Sequence, residues 1–377
     1  LKLKKTPPVL VLYDVTSSYF EGECNELSAY GYNRDKKSGK KQIVIGLLTD
    51  EEGEPLSVSV FKGNTADPST LETQIDLLAK RFGITEVVMV GDRGMIKTKG
   101  KSLVHALKYK YITAITHAQT CTLMKEKLIQ ADLFDSTVCE VEQDGKRFIL
   151  RKDEKTYKKE QYRRDDKIVR LKKLIKERNE FVLNSKSAEP LTGLKNLSKW
   201  VKNYKISSFV YLSLKDNIEI VMEIDEAAKK ENALLDGCYV IETDVSKEAM
   251  DTQHVHDRYR DLQKVEKDFR TLKTGLLEIR PIFLKKGNRT RGHVFIAMLS
   301  LKLARELDRR LQSQYQTTNE DPHTITIQDA IAAFSRITVL NYRNKNEMIR
   351  MLPKPDKRQG EILKALKLHL TPPQQTK

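Results

Sequence analysis

Two apolar runs, Val9–Tyr13 and Glu86–Val90, are too hydrophobic to leave a strand face in water, so both belong inside a sheet covered on each side. Each leads to an acid: Asp14 follows the first directly, and Asp92 follows the second after Gly91. Between them, Gln42–Thr49 and Leu56–Phe61 flank the acidic turn Asp50-Glu51-Glu52-Gly53-Glu54 and read as a hairpin. A helix follows, with Asp67 as its expected cap, Pro68 in its first turn and Ser69 and Glu72 at capping-box spacing. It runs to about Arg81, and Gly83 closes it. A helix near Thr98–Tyr109 and a strand near Tyr111–Thr116 complete this part of the chain.

The order strand-strand-strand-helix-strand-helix-strand is that of a ribonuclease-H-like core: α/β, a mixed sheet flanked by helices, with metal held where Asp14 and Asp92 stand. Residues 1–116 are read as the first part of that core. From 117 to 234 the pattern changes. Val138–Val141 and Arg147–Arg151 flank Asp144-Gly145, and Ser208–Leu214 and Ile218–Ile224 flank Lys215-Asp216-Asn217, both hairpin signals. The stretch reads as a basic, β-hairpin-rich insertion domain, with Trp200 in a lysine-rich loop. After Asp236-Gly237 the strand Cys238–Glu242 returns to the core, whose second part, 235–310, carries a long helix from about Met250 to Ile279 and a buried helix over Val294–Leu307. Residues 311–377 read as a helical extension, with helices near Ile327–Phe334 and Gly360–His369 and a short strand near Ile337–Leu340.

Charge is unevenly spread. The chain of 377 residues has a formal net charge of +16, and the sixty residues from Lys146 to Lys205 carry 20 Lys and Arg against 8 Asp and Glu. Within that segment Ile168, Leu171, Leu174, Ile175 and Phe181 recur at helical spacing, so about Glu160–Asn184 is a helix with one apolar face. A solvated helix would alternate its charges. This excess has one sign, so Lys158, Lys159, Arg163, Arg164, Lys167 and Arg170 read as a phosphate-tracking DNA-binding surface. A hydrophobic content of 39% supports a core and excludes wholesale disorder. No apolar run approaches the ~18 residues of a membrane span. The four cysteines are dispersed without a C-x-x-C pair, which argues against a disulfide framework or a cysteine-rich zinc site and fits a cytoplasmic setting.

The long helix carries the remaining clue. Tyr259, Glu266 and Lys273 are seven residues apart, and a step of seven returns to within about 20° of the same direction, so the three share one row spaced ~10.5 Å along the axis. Leu262, Val265, Phe269, Leu272 and Leu276 fall on the adjacent face. Glu266 borders that buried stripe, where a carboxylate is costly unless a cation compensates it. Alone, such a row also suits an ordinary surface helix; Asp14 and Asp92 change its meaning.

Around these acids the chain resembles the insertion-sequence DDE transposases of the IS-four type, in the branch with a long β-rich insertion. The resemblance rests on Tyr13-Asp14-Val15-Thr16, Tyr30-Gly31-Tyr32-Asn33-Arg34-Asp35, Phe61-Lys62-Gly63-Asn64-Thr65, Val90-Gly91-Asp92-Arg93-Gly94-Met95, and Arg280-Pro281 with Arg291-Gly292-His293. The family signature Y-x2-R-x3-E-x6-K is matched by Tyr259, Glu266 and Lys273, while Leu262 stands at the Arg position. The resemblance implies that Asp14, Asp92 and Glu266, separated by 78 and 174 residues, are the catalytic, metal-binding triad, and that the long second gap holds the insertion. It further implies two Mg²⁺ ions ~4 Å apart, with Mn²⁺ able to substitute and Asp14 bridging both. Lys273 and Tyr259 would hold the phosphate beside the scissile bond. The expected partners are double-stranded DNA, both terminal inverted repeats and target, and a second copy in a homodimer on DNA. With Leu1 only eight residues ahead of the first strand, the chain is expected to lack the family's N-terminal DNA-binding region and to bind ends poorly.

Two other readings stay open on the same residues: a nuclease or resolvase that cuts without joining, and a non-catalytic DNA-binding relic. The three acids weigh against the relic and the basic insertion against a minimal nuclease. His254-x-His256 points apart on a helix, and Gly91-x-x-Gly94 lacks the remaining glycines and lysine of a nucleotide loop. Trp200 could stack a base or anchor a core, and His293 is undecided. Glu242, Asp244 and Glu248 are the rivals of Glu266 as third acid.

Overall fold

Strand β1 (Leu10–Tyr19) is buried along nearly its whole length, as its apolar run requires. It pairs antiparallel with β2 (Gln42–Asp50), which pairs antiparallel with β3 (Pro55–Lys62). On its other side it pairs in parallel with β4 (Val88–Gly91), in the register Tyr13 to Gly91, giving the order β3-β2-β1-β4. These elements come from a computed structural model that describes residues 10–22, 24–134, 138–185, 188–275, 277–315, 325–344 and 347–370. Val9 and Leu276, expected on a strand and on a helix stripe, lie outside the described residues. The strand expected to stop at Asp14 continues to Tyr19, because Ser17 and Ser18, polar but fully buried, still pair with β2.

Helix α1 (Asp67–Asp76) begins with Ala66 as N-cap and no side-chain cap. The expected Asp67 cap is absent because its carboxylate is engaged by Arg34. A wider turn, Leu77–Arg81, extends the helix, and Gly83 closes the segment as expected, at φ +63°. Helix α2 (Thr98–Ala106) follows β4. These elements and the residues from Asp261 onward form one compact unit; Lys110–Arg260 form another.

The second unit starts with β5 (Lys110–Ala114) and α3 (His117–Lys125). Its sheet order is β5-β10-β7-β6, all antiparallel, with β6 (Cys139–Gln143), β7 (Lys146–Lys152) and β10 (Cys238–Thr243). Asp144 and Gly145 both take positive φ, +52° and +69°, as a two-residue hairpin turn of this twist requires. Helix α4 (Glu154–Asn184) is capped by Asp153, whose Oδ1 accepts from the Thr156 N–H. Helix α5 (Pro190–Asn203) replaces the expected lysine-rich loop: Leu194, Leu197 and Val201 recur at helical spacing and pack with Ile168, Leu171 and Ile175 of α4. The hairpin β8 (Val210–Lys215) and β9 (Glu219–Ile224) closes this core through Phe209 and Ile220. Helices α6 (Glu226–Ala233) and α7 (Thr252–Arg260) complete the unit. Strands β5 and β10 fall within this second unit.

The long helix expected over Met250–Ile279 is two helices. α7 ends at Arg260, and α8 (Leu262–Lys273) starts after Asp261, then stops before Gly275 at φ +67°. Helix α9 (Gly287–Tyr315) packs on β3 and α8, but Phe295, Ile296, Leu299 and Leu303 face solvent, so it is only half buried where full burial was expected. Helix α10 (Ile327–Phe334), the hairpin β11 (Leu340–Asn344) and β12 (Glu347–Met351), and α11 (Lys357–Leu366) end the first unit; α10 and α11 pack on the end of α9 through Leu311, Ala330 and Ile362. Among the described residues no helix is long and apolar enough to cross a membrane.

Candidate active site

Because β4 stops at Gly91 while β1 runs on, β1 has no β4 partner from Asp14 onward, and Asp92 follows at the neighbouring strand end. Helix α8 packs against β1. Val265, Phe269 and Leu272 anchor it, which turns Glu266, Arg270 and Lys273 to the adjoining face. The result is a pocket of about 370 Å³ whose wall includes Asp14, Asp92 and Glu266 together with Arg34, Asp67, Arg270 and Lys273. The three acids expected as a triad are thus brought to one pocket from three elements. Burial, above all, pushes the Asp14 carboxyl up from 3.8 to about 7; the Val15 backbone bond opposes the rise, Asp92 and Glu266 add to it, and Arg34 opposes it. The Asp92 Oδ1 accepts from the Arg93 N–H at 2.7 Å.

Two cations of the wall are held by carboxylates, Asp67 and Asp35, whose role as their partners sequence reasoning did not read. Arg34 Nη2 donates to both oxygens of Asp67, at 2.7 and 2.6 Å. Lys273 Nζ donates at 2.7 Å to Asp35, whose side chain is only 1% exposed and also accepts from Arg280. Burial lowers the Lys273 pKa, and the Asp35 partner opposes that fall. Arg270, one turn beyond Glu266, is a third cation on the wall and is exposed. Arg34 and Asp35 do lie in the loop that carries the family resemblance, but a charged loop residue gives no local sign of burial.

Tyr259 is divided from this row by the break at Asp261: it sits on α7 in the other unit, its ring 6.4 Å from that of Tyr239. Of the six α4 cations, Lys158, Lys159, Arg163 and Arg170 are exposed, Arg170 with Asp166 at 2.9 Å. Arg164 forms a two-pronged pair with Asp236 at 2.7 and 2.5 Å and is 11% exposed, tying α4 to the turn before β10. Lys167 donates to the Tyr204 carbonyl at 3.1 Å. Trp200 stacks on Tyr204 with centroids 4.0 Å apart, at the edge of the second unit's core. The rivals Glu242 and Asp244 belong to the second unit, where Glu242 accepts from the Tyr111 hydroxyl and Asp244 from its N–H. His254 pairs with Asp251 and His256 with Tyr239, so the two histidines do not converge. His293, on α9, is not part of the pocket wall.

Residues 5–303 match the transposase DDE domain family. The chain belongs to that family. No curated relative matches this transposase domain in sequence. Among solved structures it is similar to a piggyBac transposase synaptic complex with hairpin DNA (9% identity, TM-score 0.40, 79% of this chain and 46% of that one). It is also similar to a Mos1 transposase paired-end complex with the left transposon end (12% identity, TM-score 0.21, 29% and 36%). The chain spans less than half the length of each. The family uses a divalent metal. The pocket suits one: its acids are all hard oxygen donors, and their mutual repulsion at Asp14 is what a bound cation would relieve. Among the described residues no three His, Cys, Asp or Glu side chains are placed close enough together to hold one ion as they stand; Asp14, Asp92 and Glu266 share the pocket wall without converging on a single point.

Proposed function

We propose that this transposase domain cleaves DNA at transposon ends and joins the freed 3′-hydroxyl to target DNA, with Asp14, Asp92 and Glu266 holding two Mg²⁺ ions for which Mn²⁺ substitutes. One observation carries the reading: three acids spread over 252 residues of chain line a single pocket, and Asp14 responds to both others. When bound, the ions activate the attacking oxygen and stabilise the leaving one. The chain's own residues do the rest. Asp14, with its carboxyl near 7, readily exchanges its proton for a cation at neutral pH. Arg34 and Lys273, already fixed by Asp67 and Asp35, offer donors to a phosphate without having to be ordered on binding. Arg270 supplies positive charge from the same helix as Glu266, where Leu262 of the signature is buried in the core. Double-stranded DNA is the proposed partner, bound by a homodimer, with Lys158, Lys159, Arg163 and Arg170 meeting phosphates along α4.

Oligonucleotide duplexes carrying the ends of the element, incubated with the protein and Mn²⁺ or Mg²⁺, test this. Joined product supports a transposase. Cleavage without joining reduces the reading to a nuclease, and the absence of both leaves a DNA-binding relic.

A further inference from the structure

The loop joining β1 to β2 is locked on its inner side and bare on its outer side. Gly31 passes so close to Gly63 that a Cβ would lie 2.1 Å from the Gly63 carbonyl oxygen. Gln42 Nε2 donates to the Tyr32 carbonyl at 3.0 Å and the Gly63 carbonyl at 2.9 Å, and the Arg34 N–H donates to Ser17 Oγ at 2.9 Å. Asp35 is sealed between Lys273 and Arg280. Yet Tyr32 is 81% exposed, more than any other large apolar or aromatic residue among those described. Its ring centroid lies 5.4 Å from the Arg34 guanidinium carbon, and that guanidinium is bound to Asp67 in the pocket wall. Tyr32 therefore stands at the rim of the pocket. Tyr30, 65% exposed, and the exposed Lys36 and Lys37 carry the loop outward.

We infer that Tyr32 is a stacking platform for the base adjoining the phosphodiester held in the pocket. The inference rests on the pocket taking DNA, as proposed above. A ring fixed at its backbone, with a cation against it and most of its surface in water, is preorganised: docking a flat base costs it little further ordering. Bases of any sequence have a π-face, and the neighbouring lysines draw the strand's phosphates to the same place. Inside a duplex both faces of a base are already stacked, so the platform favours a nucleotide that is unpaired beside the reacting phosphate.

The test is a fluorescence-anisotropy titration of the full chain with three probes: a blunt mixed-sequence duplex, the same duplex with a short unpaired 3′ tail, and the tailed duplex with abasic residues in the tail. Wild type is expected to bind the tailed probe most tightly. Tyr32→Ala should remove that advantage, a loss on the order of ten- to a hundredfold, leave the blunt probe little changed and keep the melting temperature, since the ring is exposed; Tyr32→Phe should retain it. Unchanged tailed-probe affinity in Tyr32→Ala, or an equal loss on the abasic probe, overturns the assignment. If wild type binds none of the DNA probes, the DNA reading of the pocket falls as well, and it does so before any substitution is made.

Discussion

The pocket wall and helix α4 use the same two side-chain types under opposite conditions. At the pocket, Arg34 and Lys273 are each bonded to a carboxylate, and that of Asp35 is sealed from water. On α4, Lys158, Lys159 and Arg163 stand in solvent. Arg163 and Arg164 show both cases side by side: the first is exposed, the second is committed to Asp236. A cation held in place can position a phosphate to within the tolerance of a reaction. One left free attracts a polyanion from a distance, and salt screens it. Net charge alone does not distinguish the two; the partner does.

The strongest challenge to this contrast is at the acids that the fixed cations surround. Glu266→Gln or Asp92→Asn should lower metal-dependent cleavage by ~10³-fold or more, with little change in melting temperature, because both residues are exposed. Activity surviving in Glu266→Gln would move the third acid elsewhere. Asp35→Ala comes next. It leaves Lys273 and Arg280 without their shared carboxylate and should cost about 3–5 kcal/mol in urea unfolding. A variant as stable as wild type would mean that the pocket cations are no more fixed than those on α4.

Asp14 gives a pH signature. Its folded pKa, about 7, lies above the ordinary 3.8, so the folded state holds the proton more tightly. In EDTA this contribution to stability is complete below about pH 4 and is lost as pH rises through 7. Asp14→Asn should flatten that part of the stability profile, and saturating Mg²⁺ should flatten it in wild type. A slope that persists in Asp14→Asn assigns it to another group. The smallest effect belongs to α4: replacing Lys158, Lys159 and Arg163 by Gln should reduce the log–log salt slope of DNA binding by about 2–3 and change stability by less than ~0.5 kcal/mol. An unchanged slope would make α4 a solvated face.

How legible these features were depended on the reach of the interactions behind them. Apolar runs exposed β1 and β2 because a buried strand must be hydrophobic locally, and Asp144-Gly145 announced its hairpin because the turn demands positive φ within two residues. The acids of the pocket were legible through the family resemblance, not through periodicity alone. By contrast α5 was hidden by lysines interleaved among Leu194, Leu197 and Val201, and the break at Asp261 by apolar spacing that runs on across it. Asp35 gave no local sign. Its partners lie 238 and 245 residues further along the chain, and in the loop itself it looks like one more solvated charge.

The first unit is assembled from two stretches of chain with the whole of Lys110–Arg260 between them. During synthesis, Asp92 therefore leaves the ribosome 174 residues ahead of Glu266, an interval of about 10–35 s at ordinary elongation rates. Over that time Asp35 awaits both Lys273 and Arg280, and the wall that α8 provides does not exist. A ribosome that stalls or terminates anywhere in the second unit releases a product with two of the acids and no third. On the proposed assignment the site is completed late, by a single stretch of some dozen residues, and a polypeptide truncated ahead of it would hold two of the three acids.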